Sequence, residues 1–235
     1  MFEELKKLQK YKTPIQSSRY HKQYEEGVQD YYVGITSPNL RTYSKKHAKT
    51  INLVALDTLM HSNIHEYRLL ALIILNDKIK KADETQEKEI IEYYLNNLAY
   101  VNNWDLVDVS AYDILGKHLY KTNDYSQLYE FSKSKNLWIK RISIVATNYM
   151  IRQNELKLTL DIVDNLLEDK HDLIHKANGW MLRNVGDKNR DLLTKYIKKN
   201  YDKMPRTTLR YAIEHYPETE RKGILKGEFA WKLKQ

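Results

Sequence analysis

Apolar residues recur at three- and four-residue spacing through nearly every segment of the chain. Clear cases are IHEYRLLALIIL (64–75), KEIIEYYLNNLAYV (88–101) and LKLTLDIVDNLL (156–167). This spacing places apolar side chains on one face of an α-helix, whereas no segment sustains the apolar-polar alternation of a strand. The pattern predicts an all-α protein.

The predicted helices begin at regular distances. Residues able to cap a helix N-terminus precede five of them: Ser37, Asn63, Asn103, Asn136 and Asp172. The last four are 40, 33 and 36 residues apart, which leaves room for a second helix in each interval. A helix pair repeating every ~35 to 45 residues is typical of HEAT-like repeats. We therefore predict one HEAT-like α-solenoid domain over residues 1–235, curved, with a basic concave face and no packing assigned to residues 1–16.

The predicted breaks between helices fit this repeat. They fall at Ala82-Asp83-Glu84, Thr122-Asn123-Asp124 and Gly186-Asp187, and Pro205 is expected in a first helical turn. In such a stack the second helices of successive pairs line up along one surface. We expect four residues on this inner row: Arg68, Asp108, Arg141 and Lys176.

Composition narrows the class of protein. Lys and Arg number 39 against 31 Asp and Glu, a formal charge of +8 that predisposes a chain toward polyanions such as nucleic acid. The absence of cysteine excludes disulfides, thiolate zinc sites and a cysteine nucleophile. The N-terminus lacks the apolar core of a secretory signal, and the longest apolar run, LLALIIL, is too short to span a membrane. We expect a soluble, cytoplasmic protein.

Three second helices carry unusual residues. NNWDLVDVS holds Trp104 and Asp108 one helical turn apart, NLWIKR holds Arg141, and HKANGWMLR holds Trp180. Taken singly, each has an ordinary explanation, because a Trp at helical spacing is usually core and an Asp in the first turns often serves the helix dipole. The combination is what calls for another explanation.

The chain resembles the AlkD-like DNA alkylation repair glycosylases, which are built of HEAT-like repeats. The resemblance covers roughly residues 24–225 and is carried by YYVGITSPNLR, SNIHEYRLLALIIL, NNWDLVDVSA, NLWIKRISIVAT, HDLIHKANGWMLRNVGDKNRDLL and MPRTTLRYAIEHYPETERK. It departs from the family at Tyr112, where Pro is frequent, and in the first 16 residues. The resemblance implies a monomeric, monofunctional DNA N-glycosylase of base excision repair. Its implied substrate is alkylated duplex DNA, from which it excises cationic 3- and 7-alkylated purines without metal or cofactor.

The resemblance also implies a site. In W-D-x-V-D the first Trp and last Asp are Trp104 and Asp108, the Arg of W-x-[KR]-R is Arg141, and the Trp of G-W-x-L-R is Trp180. Chemistry agrees with these assignments. A carboxylate can stabilise positive charge that develops on the sugar, indole faces attract a cationic base, and a guanidinium matches phosphate oxygens.

Further cations are expected to follow the DNA backbone by phosphate contacts, since a damage-specific enzyme needs no base-reading motif. These predicted DNA-binding residues are Arg41, Lys45, Lys46, Lys140, Lys176, Arg183, Arg206 and Arg210.

Other classes fit the sequence less well. The histidine pairs of HSNIH (His61, His65) and HDLIH (His171, His175) lack the HExxH pattern, so no metal site is expected. Neither a Gly-rich hairpin leading to a catalytic Lys and Asp nor a phosphate-binding G-x-x-x-x-G-K-[ST] loop is present. The serious alternative is a non-catalytic HEAT-repeat scaffold that binds DNA or a protein partner on the same face.

Overall fold

The computed structural model describes residues 2–16 and 30–229; residues 1, 17–29 and 230–235 lie outside the described part. Within that part the chain is helical, and the only extended pairings are two isolated bridges, Ile15 with Tyr32 and Tyr31 with Ile64. The predicted all-α class is confirmed. None of the described helices is both long and apolar enough to cross a membrane.

The chain divides into two compact units, residues 1–114 and 115–235. The described residues of the first unit form six α-helices and one 3₁₀ turn: α1 (Phe2–Lys7), α2 (Ser37–His47), α3 (Leu53–Met60), α4 (His65–Ile79), α5 (Glu84–Asn96), the 3₁₀ turn (Leu98–Tyr100) and α6 (Trp104–Ser110). A single π-helical turn, Tyr112–Gly116, follows α6.

The first unit is centred on α4. Twelve of the fifteen residues of α4 are buried, which fits a helix that packs against α2, α3, α5 and α6. Glu66 on α4 also anchors the segment before α2, because its carboxylate accepts hydrogen bonds from the backbone N–H groups of Val33 (3.2 Å) and Gly34 (2.7 Å). This burial fixes α4 as the support on which α6 lies.

The second unit is built of helix pairs followed by a last helix. Its described helices are α7 (Lys117–Thr122), α8 (Ser126–Ser132), α9 (Leu137–Ala146), α10 (Asn148–Arg152), α11 (Lys157–Leu166), α12 (Asp172–Lys188), α13 (Arg190–Asn200), α14 (Arg206–Ala212) and α15 (Glu218–Lys226). The pairs are α8 with α9, α11 with α12 and α13 with α14, and α7 and α10 are short helices beside them. The second helices of successive pairs pack side by side, α9 against α12 and α12 against α14. This is the neighbour relation expected of a repeat array.

Tyrosine hydroxyls join the first helices of these pairs. Tyr129 on α8 donates to the Asp161 carboxylate on α11 (3.1 Å), and Tyr196 on α13 donates to Asp164, also on α11 (2.5 Å). Burial, followed by the nearby carboxylate, raises the pKa of both tyrosines. Helix α11 is thus held from both sides by neutral donors.

The helix boundaries agree with the predicted starts to within a residue. Asn103 and Asn136 are N-caps as predicted, while α4 and α12 are capped by Ile64 and His171. One predicted break is wrong, because Gly186 and Asp187 lie inside α12 and the helix ends only at Lys188.

Candidate functional site

Trp104 and Asp108 stand one turn apart on α6. The Asn103 side chain accepts a hydrogen bond from the Trp104 backbone N–H (2.8 Å), which starts the helix at this point. Leu106, Val107 and Ser110 form the buried side of α6. Trp104 and Asp108 remain only partly buried, so both can meet a ligand.

The two side chains line a pocket of about 310 Å³ between α2, α4 and α6. Its lining residues are Ser37, Arg41, Leu69, Ile73, Asn76, Asp77, Lys80, Trp104, Asp105, Asp108, Val109, Tyr112 and Asp113. Four carboxylates thus face two cations beside an indole, a lining that favours a positively charged ligand.

Hydrogen bonds from two helices fix the far end of α6. The Asn76 amide on α4 donates to the Val109 carbonyl, and the Tyr94 hydroxyl on α5 lies 3.1 Å from the Ser110 hydroxyl. The π-helical turn that follows brings Tyr112 into the pocket lining. Turns of this kind are frequent at functional sites.

Beneath the pocket, His65 on α4 is 1% exposed and lies between two carboxylates. Its Nδ1 is 3.1 Å from Asp30 Oδ2 and its Nε2 is 2.8 Å from Asp105 Oδ2. Burial by itself lowers the pKa of His65, but the hydrogen bonds and charges of Asp105 and Asp30 outweigh it and raise the pKa to about 9. The ring is therefore an imidazolium at neutral pH.

A second, larger groove of about 620 Å³ lies beside the pocket, where α2 and α4 end and α3 and α5 begin. Five lysines and two acids line it: Lys45, Lys49, Lys78, Lys80, Lys81, Asp77 and Glu89. Asp77 and Lys80 also line the pocket, so the two cavities adjoin. Burial lowers the pKa of Lys78, and an anion in the groove would stabilise its ammonium form.

The other two predicted catalytic residues belong to the second unit, so the set of four divides between the units. Trp180 on α12 is half-buried. It follows Gly179, where an added Cβ would lie 2.4 Å from the Tyr211 Cβ, so α12 and α14 approach closely there. Arg141 is 4% exposed and donates from Nη1 to the Leu173 carbonyl (2.6 Å). This bond ties α9 to the first turn of α12.

The predicted DNA-binding cations differ in their surroundings. Arg41, Lys45, Arg206 and Arg210 are exposed. The remaining four are held by acids within their own unit: Lys46 by Glu4, Lys140 by Asp169, Lys176 by Asp172 and Arg183 by Glu214. Arg68, expected on the inner row, is buried and bound to Asp30 (2.5 Å).

The histidine pairs do not form a metal centre in the described residues. His61 contacts the Asn97 side chain (2.7 Å), and His171 caps α12 by accepting from the Leu173 N–H (3.1 Å). Across residues 2–16 and 30–229, no group of three or more His, Asp or Glu side chains is placed to hold a metal ion.

Sequence reasoning missed two groups of residues. Asp30, His65 and Asp105 are far apart in sequence and meet only through folding. The second group lies in the basic runs KKHAK and KIKK and consists of Lys49, Lys78, Lys80 and Lys81. In a sequence, such runs usually indicate solvent-exposed charge.

Comparisons with known proteins agree with the sequence resemblance. A family model described as DNA alkylation repair enzyme matches residues 1–216. A predicted DNA alkylation repair enzyme from Enterococcus faecalis has a similar fold (TM-score 0.62, 16% identity, 80% of this chain and 90% of that one). The protein smu.31 from Streptococcus mutans UA159 is also similar (TM-score 0.51, 16% identity, 83% and 92%). No curated protein matches the sequence.

Proposed function

This chain belongs to the DNA alkylation repair enzyme family, and from that membership we propose that it is a DNA N-glycosylase. Its substrates are cationic 3- and 7-alkylated purines in duplex DNA, which it excises as the first step of base excision repair. The observation that carries the proposal is the pocket in which Trp104 and Asp108 stand together among further carboxylates.

The proposed reaction needs little from the protein. A purine alkylated at a ring nitrogen already carries positive charge, so when the glycosidic bond breaks the base takes the bonding electrons and leaves neutral. The positive charge passes to the sugar, as in other glycosyl hydrolyses. Water then adds to the sugar C1′ and loses its proton, which leaves an abasic site. Neither metal nor covalent intermediate is required.

Asp108 is the proposed catalytic carboxylate. It lies on the same side of α6 as Trp104, at the pocket surface, where it can stabilise the developing sugar cation and orient the attacking water. The Trp104 indole offers an electron-rich face to the cationic nucleoside, a contact worth about 0.5 to 2 kcal/mol. We propose that Trp180 supplies a second face.

The lysine groove supports a DNA substrate. Five lysines beside the pocket offer ammonium groups to consecutive phosphates, while the acidic pocket attracts the cationic lesion. DNA with one cationic base is complementary to a basic groove beside an acidic pocket. Arg41, which lines the pocket, can contact the adjoining phosphate. Because Arg141 is buried, we propose that it acts mainly by holding α12, with a phosphate contact as a secondary role.

Release of free base from methylated duplex DNA tests the proposal. The purified protein in chelator should liberate 7-methylguanine or 3-methyladenine and leave abasic sites without cutting the strand. Asp108→Asn should abolish most of this release, whereas Asp202→Asn, which removes an exposed charge in the turn before α14, should retain it. Wild-type protein that binds the DNA but releases no base would identify the scaffold alternative instead.

A further inference from the structure

Both ring nitrogens of His65 face carboxylate oxygens, Asp30 on one side and Asp105 on the other. An ionised carboxylate only accepts hydrogen bonds, and a neutral imidazole has one donor nitrogen and one acceptor nitrogen. With Asp30 and Asp105 ionised, both contacts are therefore satisfied only when His65 is an imidazolium. In the neutral ring, one nitrogen would present its lone pair to a carboxylate across about 3 Å, at hydrogen-bond distance.

The charged groups close to His65 are two carboxylates, Asp30 and Asp105, and the guanidinium of Arg68. Arg68 Nη2 binds Asp30 (2.5 Å), so protonated His65 and Arg68 match the carboxylates of Asp30 and Asp105. The nearby Glu66 is bound by backbone N–H groups, and the Tyr32 ring packs 5.1 Å from the imidazole centroid. Deprotonation of His65 would remove the positive charge that the part-buried Asp105 carboxylate faces at 2.8 Å.

Asp105 connects this buried cluster to the pocket. It follows Trp104 in the first turn of α6, lies 14% exposed, and lines the pocket with Trp104 and Asp108. Its carboxylate contacts the buried imidazolium, and the same residue lines the pocket. The hydrogen bond between His65 and Asp105 therefore joins the start of α4 to the start of α6.

We propose that His65 is a positioning residue for the reaction: as an imidazolium held between Asp30 and Asp105, it fixes the first turn of α6 so that Trp104 and Asp108 face the substrate. This inference rests on the proposed function. Loss of the proton leaves one N–H for two carboxylates. Molecules that keep it on Nδ1 lose the contact with Asp105, and in these the start of α6 loosens. The raised pKa of His65, about 9, keeps the arrangement intact at neutral pH.

Two amide variants separate positioning from simple structural support. The Asn amide nitrogen lies near the position of the imidazole Nδ1 and the Gln amide nitrogen near that of Nε2. His65→Gln can therefore keep the contact with Asp105, whereas His65→Asn keeps only the contact with Asp30. Both variants lose the buried cation, which makes them a matched pair.

Base release from methylated duplex DNA should distinguish the pair. We expect kcat for His65→Asn to fall about 10- to 100-fold below that of His65→Gln, with KM nearly unchanged, because misplacement of reacting groups costs rate rather than binding. Wild-type kcat should decline as the pH rises through about 9, a limb that is absent in His65→Gln. Equal kcat in the two folded variants, or an unchanged alkaline limb in His65→Gln, would overturn the proposal.

A readout independent of activity uses 5-fluorotryptophan. The chain has four Trp residues, and Trp104→Phe identifies the fluorine resonance of Trp104. That resonance should titrate with a midpoint near pH 9 in the wild type and stay flat in His65→Gln. A Trp104 signal that does not titrate overturns the positioning role. If the wild type released no base, the proposed function would fail, and this titration would still decide whether His65 positions Trp104.

Discussion

Raising the pH should destabilise the protein through His65, by an amount that follows from its surroundings. The pKa of this histidine rises from 6.5 to about 9 on folding because Asp105 and Asp30 hold the imidazolium, against the opposing effect of burial. Each pKa unit corresponds to about 1.4 kcal/mol, so the shift contributes on the order of 3 kcal/mol. Since the folded-state pKa is raised, this stability is complete below pH 6.5 and is lost as the pH rises through about 9.

Urea unfolding followed by far-ultraviolet circular dichroism measures this loss. Between about pH 7 and about pH 9.5 the wild type should lose roughly 2 to 3 kcal/mol more unfolding free energy than His65→Gln, in which this position does not titrate. The comparison subtracts the lysines and tyrosines that titrate in both proteins. Parallel pH curves for the two proteins would refute the reasoning, because they would mean that His65 ionises alike in the folded and unfolded chains.

Three further predictions concern other parts of the molecule. Asp108→Asn should lower single-turnover base release by about 10² or more while thermal stability changes little; an active, stable variant would remove Asp108 from the mechanism. Gly179→Ala should cost about 1 to 3 kcal/mol in thermal unfolding, because the new Cβ meets Tyr211, and an unchanged midpoint would contradict that contact. Lys49→Ala should reduce the slope of log K for duplex DNA against log salt by about 0.9, whereas the exposed control Lys157→Ala should leave it unchanged.

The helix pairs could be predicted from the sequence because the information is local. Asn103 and Asn136 cap α6 and α9 as their positions indicated, and apolar spacing identified the helices that follow. The predicted break at Gly186 is wrong for a physical reason. An added Cβ there would lie 2.4 Å from the Leu193 Cδ2, so this glycine allows α13 to pack closely against α12 and does not end the helix.

The candidate site could be predicted from the sequence only in part. The spacing of Trp104 and Asp108 predicts that they share one helix face, and in the structure both line the pocket. The proposed role of His65 depends on Asp30 and Asp105, which are 35 and 40 residues away in sequence and carry no local pattern. Lys140 was predicted to contact DNA, and its ion pair with Asp169 could not be foreseen because the two residues are distant in sequence.

The tyrosine hydrogen bonds on either side of α11 determine how the second unit responds to salt. Because Tyr129 and Tyr196 are neutral donors, their bonds to Asp161 and Asp164 are short-range and depend little on the Debye length. The proposed DNA affinity of the lysine groove should weaken steeply as salt rises. Salt can therefore release the nucleic acid while the array of first helices stays joined, so a salt titration of binding reports dissociation and not unfolding of these pairs.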